Sequence, residues 1–454
     1  MAQLKKYTFI IAALVVVCNL KAQESKSSSF SLQQAIDYAM KNSPNVLNAE
    51  LDKLNAIYRK NEITGIGVPQ INGSVDFKDY LNIPTSLLPA QIFGGPAGTY
   101  IPVKFGTKYN ATAGFTASQL IFNSDYLFGL KASQQFVGLF DINVKRSKIE
   151  LTSQVTKAYY TVLVNQEKLK FFDANIARVE KTSNDLNAYY KAGLAEQIDV
   201  ERWEVQLNNL KNEKEKVEKL VGLAITALKF QMGYKLTDEL LLTDKLDPNE
   251  EQNQELSLAA VQVKSRPDLQ MLQTQQSLNE IDIKRLKYGY LPTLAAYGSL
   301  QYNAQRSTFN LLQFDKNDLN KKWFPISLVG LTLNMSLFDG MQRYNKIQQA
   351  KITSQKSLNN LKNVEMAFEL EANQAVILYN NALTSLKIQK KNMELAQHII
   401  DVAAKKYQAG VGTNMDVVFA EASLKEAQTN YYNALYDLFM AKVDYQRATG
   451  SLVK

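Results

Sequence analysis

The chain has 454 residues, of which 46% are hydrophobic and 21% charged, with a formal net charge of +8. Its single cysteine, Cys18, falls in an N-terminal leader and its single histidine is His398, which excludes disulfides, thiolate nucleophiles and Cys/His metal sites in the body of the chain. Charges come in mixed runs such as Lys211-Asn-Glu-Lys-Glu-Lys-Val-Glu-Lys219, the pattern of a solvated helix face and not of a nucleic-acid patch.

Lys5 and Lys6, the apolar run Phe9 to Val17 and the segment Leu20-Lys21-Ala22 read as a secretory signal over 1–22, cleaved before Gln23. The run is too short to span a bilayer, which takes about 20 apolar residues. Cys18 opens a lipoprotein alternative, although Val17 stands where lipoprotein signals carry Gly, Ala or Ser. Nothing after residue 22 has the length and hydrophobicity of a transmembrane helix, and loss of Lys5, Lys6 and Lys21 lowers the net charge to +5.

The ten prolines fall between Pro44 and Pro102 or between Pro248 and Pro325. In the first of these regions the apolar period is two. Ile71, Val75 and Phe77 alternate with Asn72, Ser74, Asp76 and Lys78, and Tyr109, Ala111, Ala113, Phe115 and Ala117 alternate with Asn110, Thr112, Thr116 and Ser118. Two strands are therefore expected within 69–82 and 107–118. The segment between them, with Pro84, Pro89, Gly94-Gly95-Pro96 and Pro102, reads as a loop.

Residues 103–247 hold no proline, which permits long helices, since a proline inside one costs about 3 kcal/mol. Alternate steps of three and four pick out Leu151, Val155, Ala158 and Val162, then Val179, Leu186 and Tyr190, and in the next segment Val200, Trp203, Leu207 and Leu210. A 3.5-residue repeat kept up this long specifies coiled-coil packing. The turn between the two helices is Tyr190-Lys-Ala-Gly193, followed by Leu194 and, further on, Asp199-Val200.

The pattern then recurs. Leu294, Ala296, Leu300 and Tyr302 form one further period-two segment; Val329, Leu331, Leu333, Met335 and Leu337 form another, with Ser327, Thr332, Asn334 and Ser336 as polar partners. Residues 326–454 lack proline, and glycine is absent between Met341 and Ala409. A helix over 341–408 would be roughly 100 Å long. The helical stripe reappears 217 residues on, as does the turn: Tyr407-Gln-Ala-Gly410 with Val411, then Asp416-Val417. Ser43-Pro44 pairs with Arg266-Pro267, and Gly233 with Gly450. The mature chain therefore reads as two copies of one unit, 23–245 and 246–454, each a helix, a β-hairpin and a long helix pair.

Strands with one apolar and one small polar face fit a transmembrane β-barrel. Four strands do not close one, and an open edge cannot sit in lipid, so the barrel must be shared between chains. A soluble hairpin on a coiled-coil stalk is the alternative for the strands, and a pore-free periplasmic coiled-coil adaptor or scaffold is the alternative for the whole. An enzyme or a bound cofactor is not expected: no paired-carboxylate site stands out, and the glycine-rich loop at 94–98 lacks the strand-to-helix context of a phosphate cradle.

The order of elements, and above all the tips Tyr190-Lys-Ala-Gly-Leu-Ala-Glu-Gln-Ile-Asp-Val200 and Tyr407-Gln-Ala-Gly-Val-Gly-Thr-Asn-Met-Asp-Val417, resemble the TolC-type outer-membrane efflux family over the whole mature chain. The resemblance implies a mainly α chain working as a homotrimer, with a twelve-stranded barrel in outer-membrane lipid and a helical tunnel in the periplasm. It implies a closed periplasmic end, opened by a periplasmic adaptor (a membrane fusion protein) together with an inner-membrane transporter of the RND or ABC type. By the same resemblance Gly193, Leu194, Gly410 and Val411 would meet the adaptor. Asp416 would form a pore ring, and Tyr407 would link to Asp199 near the gate. The family's second pore aspartate falls at Phe419 and its gate arginine at Gly412, so fewer charged locks are expected. Asp416 is also read as a helix-start charge, favoured there by the helix dipole.

Overall fold

The computed structural model describes residues 28–246, 266–313, 315, 317–319 and 321–452; the signal expected over 1–22 lies outside them. Ser31 caps α1 (Leu32–Asn42) in a reciprocal pair of bonds with Gln34. Pro44 opens α2 (Pro44–Gly65), at the one helical position where a missing N–H is free of cost. The proline-free stretches become continuous helices: α3 (Ser124–Lys191, 68 residues) with α4 (Gln197–Met232, 36 residues), and, after α5 (Pro267–Tyr288), α6 (Gln342–Gln408, 67 residues) with α7 (Asn414–Thr449, 36 residues). Among the described residues no helix is long and apolar enough to cross a membrane.

The chain folds into two compact units. Of the described residues, the helical unit takes 28–51, 142–246, 266–270 and 362–452. Its core is built from the 3.5-residue stripes. Leu186, Trp203 and Leu210 of the first hairpin pack with Ile400, Val417 and Leu424 of the second. Val155, Tyr159 and Val162 pack with Ala35, Ala39, Leu228 and Met232, and Leu383 and Leu386 with Leu435 and Leu438. A parallel pair, β1 (Ser28–Phe30) with β6 (Leu240–Leu242), joins the start of the unit to the end of the first hairpin. Three residues are too few to show a period, so the sequence pattern does not announce it.

The sheet unit takes residues 52–141 and 271–361. Its antiparallel sheet has the order β2 (Gln70–Asp79), β5 (Tyr109–Phe122), β7 (Thr293–Arg306), β8 (Phe324–Asn334). Val75 lies opposite Ala113 and Phe77 opposite Ala111; Phe115 lies opposite Leu300; Val329, Leu331 and Leu333 lie opposite Gly298, Ala296 and Leu294. With a side-chain period of two, that register puts Ile71, Val75, Phe77, Phe115, Leu300, Val329, Leu331 and Leu333 on one face, while Tyr297, Phe324, Ile326 and Leu328 lie on the other. The face is bare: Val329 is 91% exposed, Val75 82% and Ile71 71%. Among the described residues, the edge strands β2 and β8 each leave one side of the ladder unpaired.

Two sequence expectations need correction here. Ser327, taken as a polar-face residue, lies opposite Leu300 on the apolar face, because it stands an even number of residues from Val329. The segment taken as a proline-rich loop contains a second ribbon, β3 (Thr85–Pro89) with β4 (Tyr100–Lys104). An isolated two-stranded ribbon has only edges, where Pro89 and Pro102 need no ladder N–H.

Candidate functional site: two hairpin tips and the groove beside them

Each long helix pair turns through a glycine. Gly193 (φ +74°) and Gly410 (φ +72°) adopt the left-handed conformation that a side chain disfavours, and a Cβ at either would meet nothing within 4 Å. The residues that follow, Leu194 (76% exposed) and Val411 (78%), project from the tips. Apolar side chains held out on rigid turns are suited to contact with another surface.

Beyond the second tip, Thr413 caps α7. Its backbone N–H and its hydroxyl donate to Asp416 Oδ2 at 3.0 and 2.7 Å, and Asp416 N–H donates back to Thr413 Oγ1 at 3.2 Å. These two bonds from Thr413 hold the Asp416 carboxyl below the usual aspartate value, and the charge of Lys406 adds to the effect. The helix-start reading of Asp416 therefore holds. The carboxylate also lines an open groove of about 520 Å³ together with Phe419, Lys406, Gly412 and His398. Asp416 and Phe419 are thus brought to one surface. Gly412 sits 3.0 Å, measured from an ideal Cβ, from Lys406 Cβ and 3.1 Å from Tyr407 N, so an arginine there would need the turn to shift.

The expected link from Tyr407 to Asp199 is not formed as a hydrogen bond. Asp199 Oδ1 instead accepts from Asn414 Nδ2 at 2.8 Å and from Arg202 Nη1 at 3.4 Å. Tyr407 remains a near neighbour: burial first, and the charge of Asp199 second, raise its hydroxyl pKa. Asn414 is the residue that sequence reading missed. Only 8% exposed, it accepts from the buried indole Trp203 Nε1 at 2.8 Å while donating to Asp199, so it bridges α4 and α7. The available signal was Trp203 itself, since a buried indole N–H calls for an acceptor. Further along, Arg178 of α3 donates to both oxygens of Glu421 on α7, at 2.7 and 3.2 Å. Glu421 is 2% exposed.

Long helical hairpins with glycine tips, together with a four-stranded sheet bearing an exposed apolar face, make up the architecture of the described residues. The solved structure of CusC, a transmembrane channel, shares it, with a TM-score of 0.76 at 15% identity over 95% of each chain. Residues 261–451 match the model of the family described as outer membrane efflux protein. The outer membrane protein TolC of Salmonella enteritidis is 21% identical over 99% of this chain and 87% of its own length. That of Escherichia coli K12 is 21% identical over 97% and 86%. The chain is thus similar over nearly its whole length to TolC outer membrane proteins, and its C-terminal part matches the outer membrane efflux protein family.

Proposed function

We propose that the chain is the outer-membrane conduit of a tripartite efflux pump or a type I secretion system, assembled as a trimer. Three copies of the four-stranded sheet would close one twelve-stranded barrel, the edge strands β2 and β8 pairing between chains and the apolar face turning to lipid. The helical hairpins would line a periplasmic tunnel, closed at the tips and opened when a periplasmic adaptor and an inner-membrane RND or ABC transporter engage. The observation that carries this reading is the exposed apolar face between two open edges: the face suits lipid, and open edges in lipid must be paired by another chain. From the chain mass of 51.1 kDa the detergent-extracted particle should be a trimer of about 150 kDa, resistant to carbonate extraction from outer-membrane vesicles. A monodisperse monomer, or release by carbonate, would return the pore-free adaptor or scaffold to favour.

At the mouth, Asp416 would present a ring of three carboxylates, with Phe419 beside it. Clustered like charges bind a multivalent cation far better than a monovalent one. Trivalent cations added on the tip side should block conductance in planar bilayers, and Asp416→Ala should abolish most of that block. The Thr413 bonds hold the Asp416 carboxyl down, the mutual repulsion of three clustered carboxylates pushes it up, and block should fade as pH falls and the ring takes up protons. Thr413→Ala should move that fade to higher pH. Block unaffected by Asp416→Ala would leave the residue as a helix cap and nothing more.

A further inference from the structure

The far end of the sheet holds a buried cation with part of its donors unused. All four strands join helices at one end: β2 follows α2, β5 leads into α3, β7 follows α5 and β8 leads toward α6. Arg306 ends β7 at the opposite end, before the loop 307–323. It stands six residues from Leu300 and opposite Tyr109, hence on the exposed apolar face. That face turns aromatic beside it. Tyr109 stacks on Phe77 with ring centroids 6.3 Å apart, and Phe309 meets the two edge-on at 5.6 and 5.8 Å. An apolar band that ends in aromatic rings is how a membrane barrel meets the headgroup layer.

Arg306 is 2% exposed. Its Nη1 donates to Gln305 O at 3.1 Å, whereas Nε and Nη2 have no partner. Those two nitrogens form the side-on fork of the guanidinium, the pair that grips two oxygens of one anion. Arg178 shows the same fork filled, its Nε and Nη2 donating to the two oxygens of Glu421 at 3.2 and 2.7 Å. The carboxylates nearest in the loop are engaged elsewhere: Asp315 accepts from Asn317 N–H and Asp318 pairs with Lys321. Asp79 lies two strands away, on the far side of Tyr109. In the same loop Asn310 has a buried Oδ1 that likewise lacks a partner. An ion buried without a counter-charge is costly, and folded proteins satisfy nearly every buried donor. A planar fork fits carboxylate or phosphate, and of these the headgroup layer supplies phosphate. Resting on the channel reading above, we propose that Arg306 binds a phosphate group at the outer rim of the barrel, carried by a membrane lipid or free in solution.

The full protein, washed free of lipid in detergent, is titrated with phosphatidic acid or with diacylglycerol of the same chains, and bound lipid is read by native mass spectrometry. Wild type should bind phosphatidic acid at least about tenfold more tightly than diacylglycerol, and Arg306→Leu should erase that preference. Arg306→Lys keeps the charge but loses the fork, so it should retain only part of the preference. Lys322→Ala removes a charge near Phe324, at the end of the same loop, and should change binding by less than about twofold. In the absence of lipid Arg306→Leu should melt no lower than wild type, because it removes a stranded ion. Should the leucine variant not fold, Arg306→Lys decides alone. Inorganic phosphate that raises the wild-type midpoint and displaces phosphatidic acid marks a site for free phosphate; phosphatidic acid that binds while inorganic phosphate has no effect marks a site for lipid. Equal binding of the two lipids with no response to inorganic phosphate overturns the site, as does wild-type binding by either Arg306 variant. Binding is read whether or not the protein conducts. A wild type that binds phosphatidic acid yet washes off membranes with carbonate therefore fails the channel reading and keeps the phosphate site.

Discussion

Arg178→Ala should lower the stability of the helical unit by about 3 kcal/mol, read as a drop in the thermal midpoint of its helical circular-dichroism signal. The reason is asymmetry. Arg178 keeps about a third of its side chain in solvent (35%), whereas Glu421 keeps 2%, so removal of the arginine leaves a carboxylate without a counter-charge in a seam packed by Val417, Ala420 and Leu424. Glu421→Gln should cost less, because the freed guanidinium can turn to water and the amide keeps one bond. Arg178→Leu with Glu421→Leu should recover most of the loss, since apolar replacement of both members of a buried pair is commonly near neutral. The Lys157–Asp444 pair is as short, at 2.5 Å, but its side chains are 34% and 41% exposed. Lys157→Ala should therefore cost no more than about 1 kcal/mol. Equal losses from Arg178→Ala and Lys157→Ala would show that burial of Glu421 does not set the strength of its pair.

On the proposed channel reading, Gly193→Trp and Gly410→Trp should each abolish export while leaving assembly intact. Both residues have φ near +70°, and a side chain there costs roughly 1–2 kcal/mol of backbone strain. The strain stays local, since a Cβ at either position meets nothing within 4 Å and no core residue moves to make room. What changes is the outer surface next to Leu194 and Val411, the face proposed above to meet an adaptor. Restoration of export in cells lacking their own channel, set beside the size and thermal midpoint of the purified variants, reads the two consequences separately. Normal export from a correctly assembled Gly410→Trp trimer would remove the docking role from the second tip. Loss of assembly would mean that the tip is part of the core.

Much of this architecture is written into local patterns. A proline-free stretch with a 3.5-residue apolar repeat can bury its stripe only as a long packed helix, and α3, α4, α6 and α7 follow from that alone. Period-two segments with one apolar face specify strands whatever they pair with, and β2, β5, β7 and β8 fall where Val75, Phe115, Leu300 and Val329 put them. A glycine at each tip and the Thr413–Asp416 cap are likewise local, set by backbone conformation and hydrogen bonds within one turn. Partners distant in sequence are another matter, because they depend on how helices and strands slide past one another. That sliding settles that Asp199 bonds Asn414 and not Tyr407, that Glu421 lies under Arg178 while Glu204 stays exposed, and that Pro89 and Pro102 sit in a ribbon. No residue's neighbours in the chain encode such a pairing. It emerges when the apolar stripes interlock, and the polar groups caught in the seam take whichever donor or acceptor that register brings within reach.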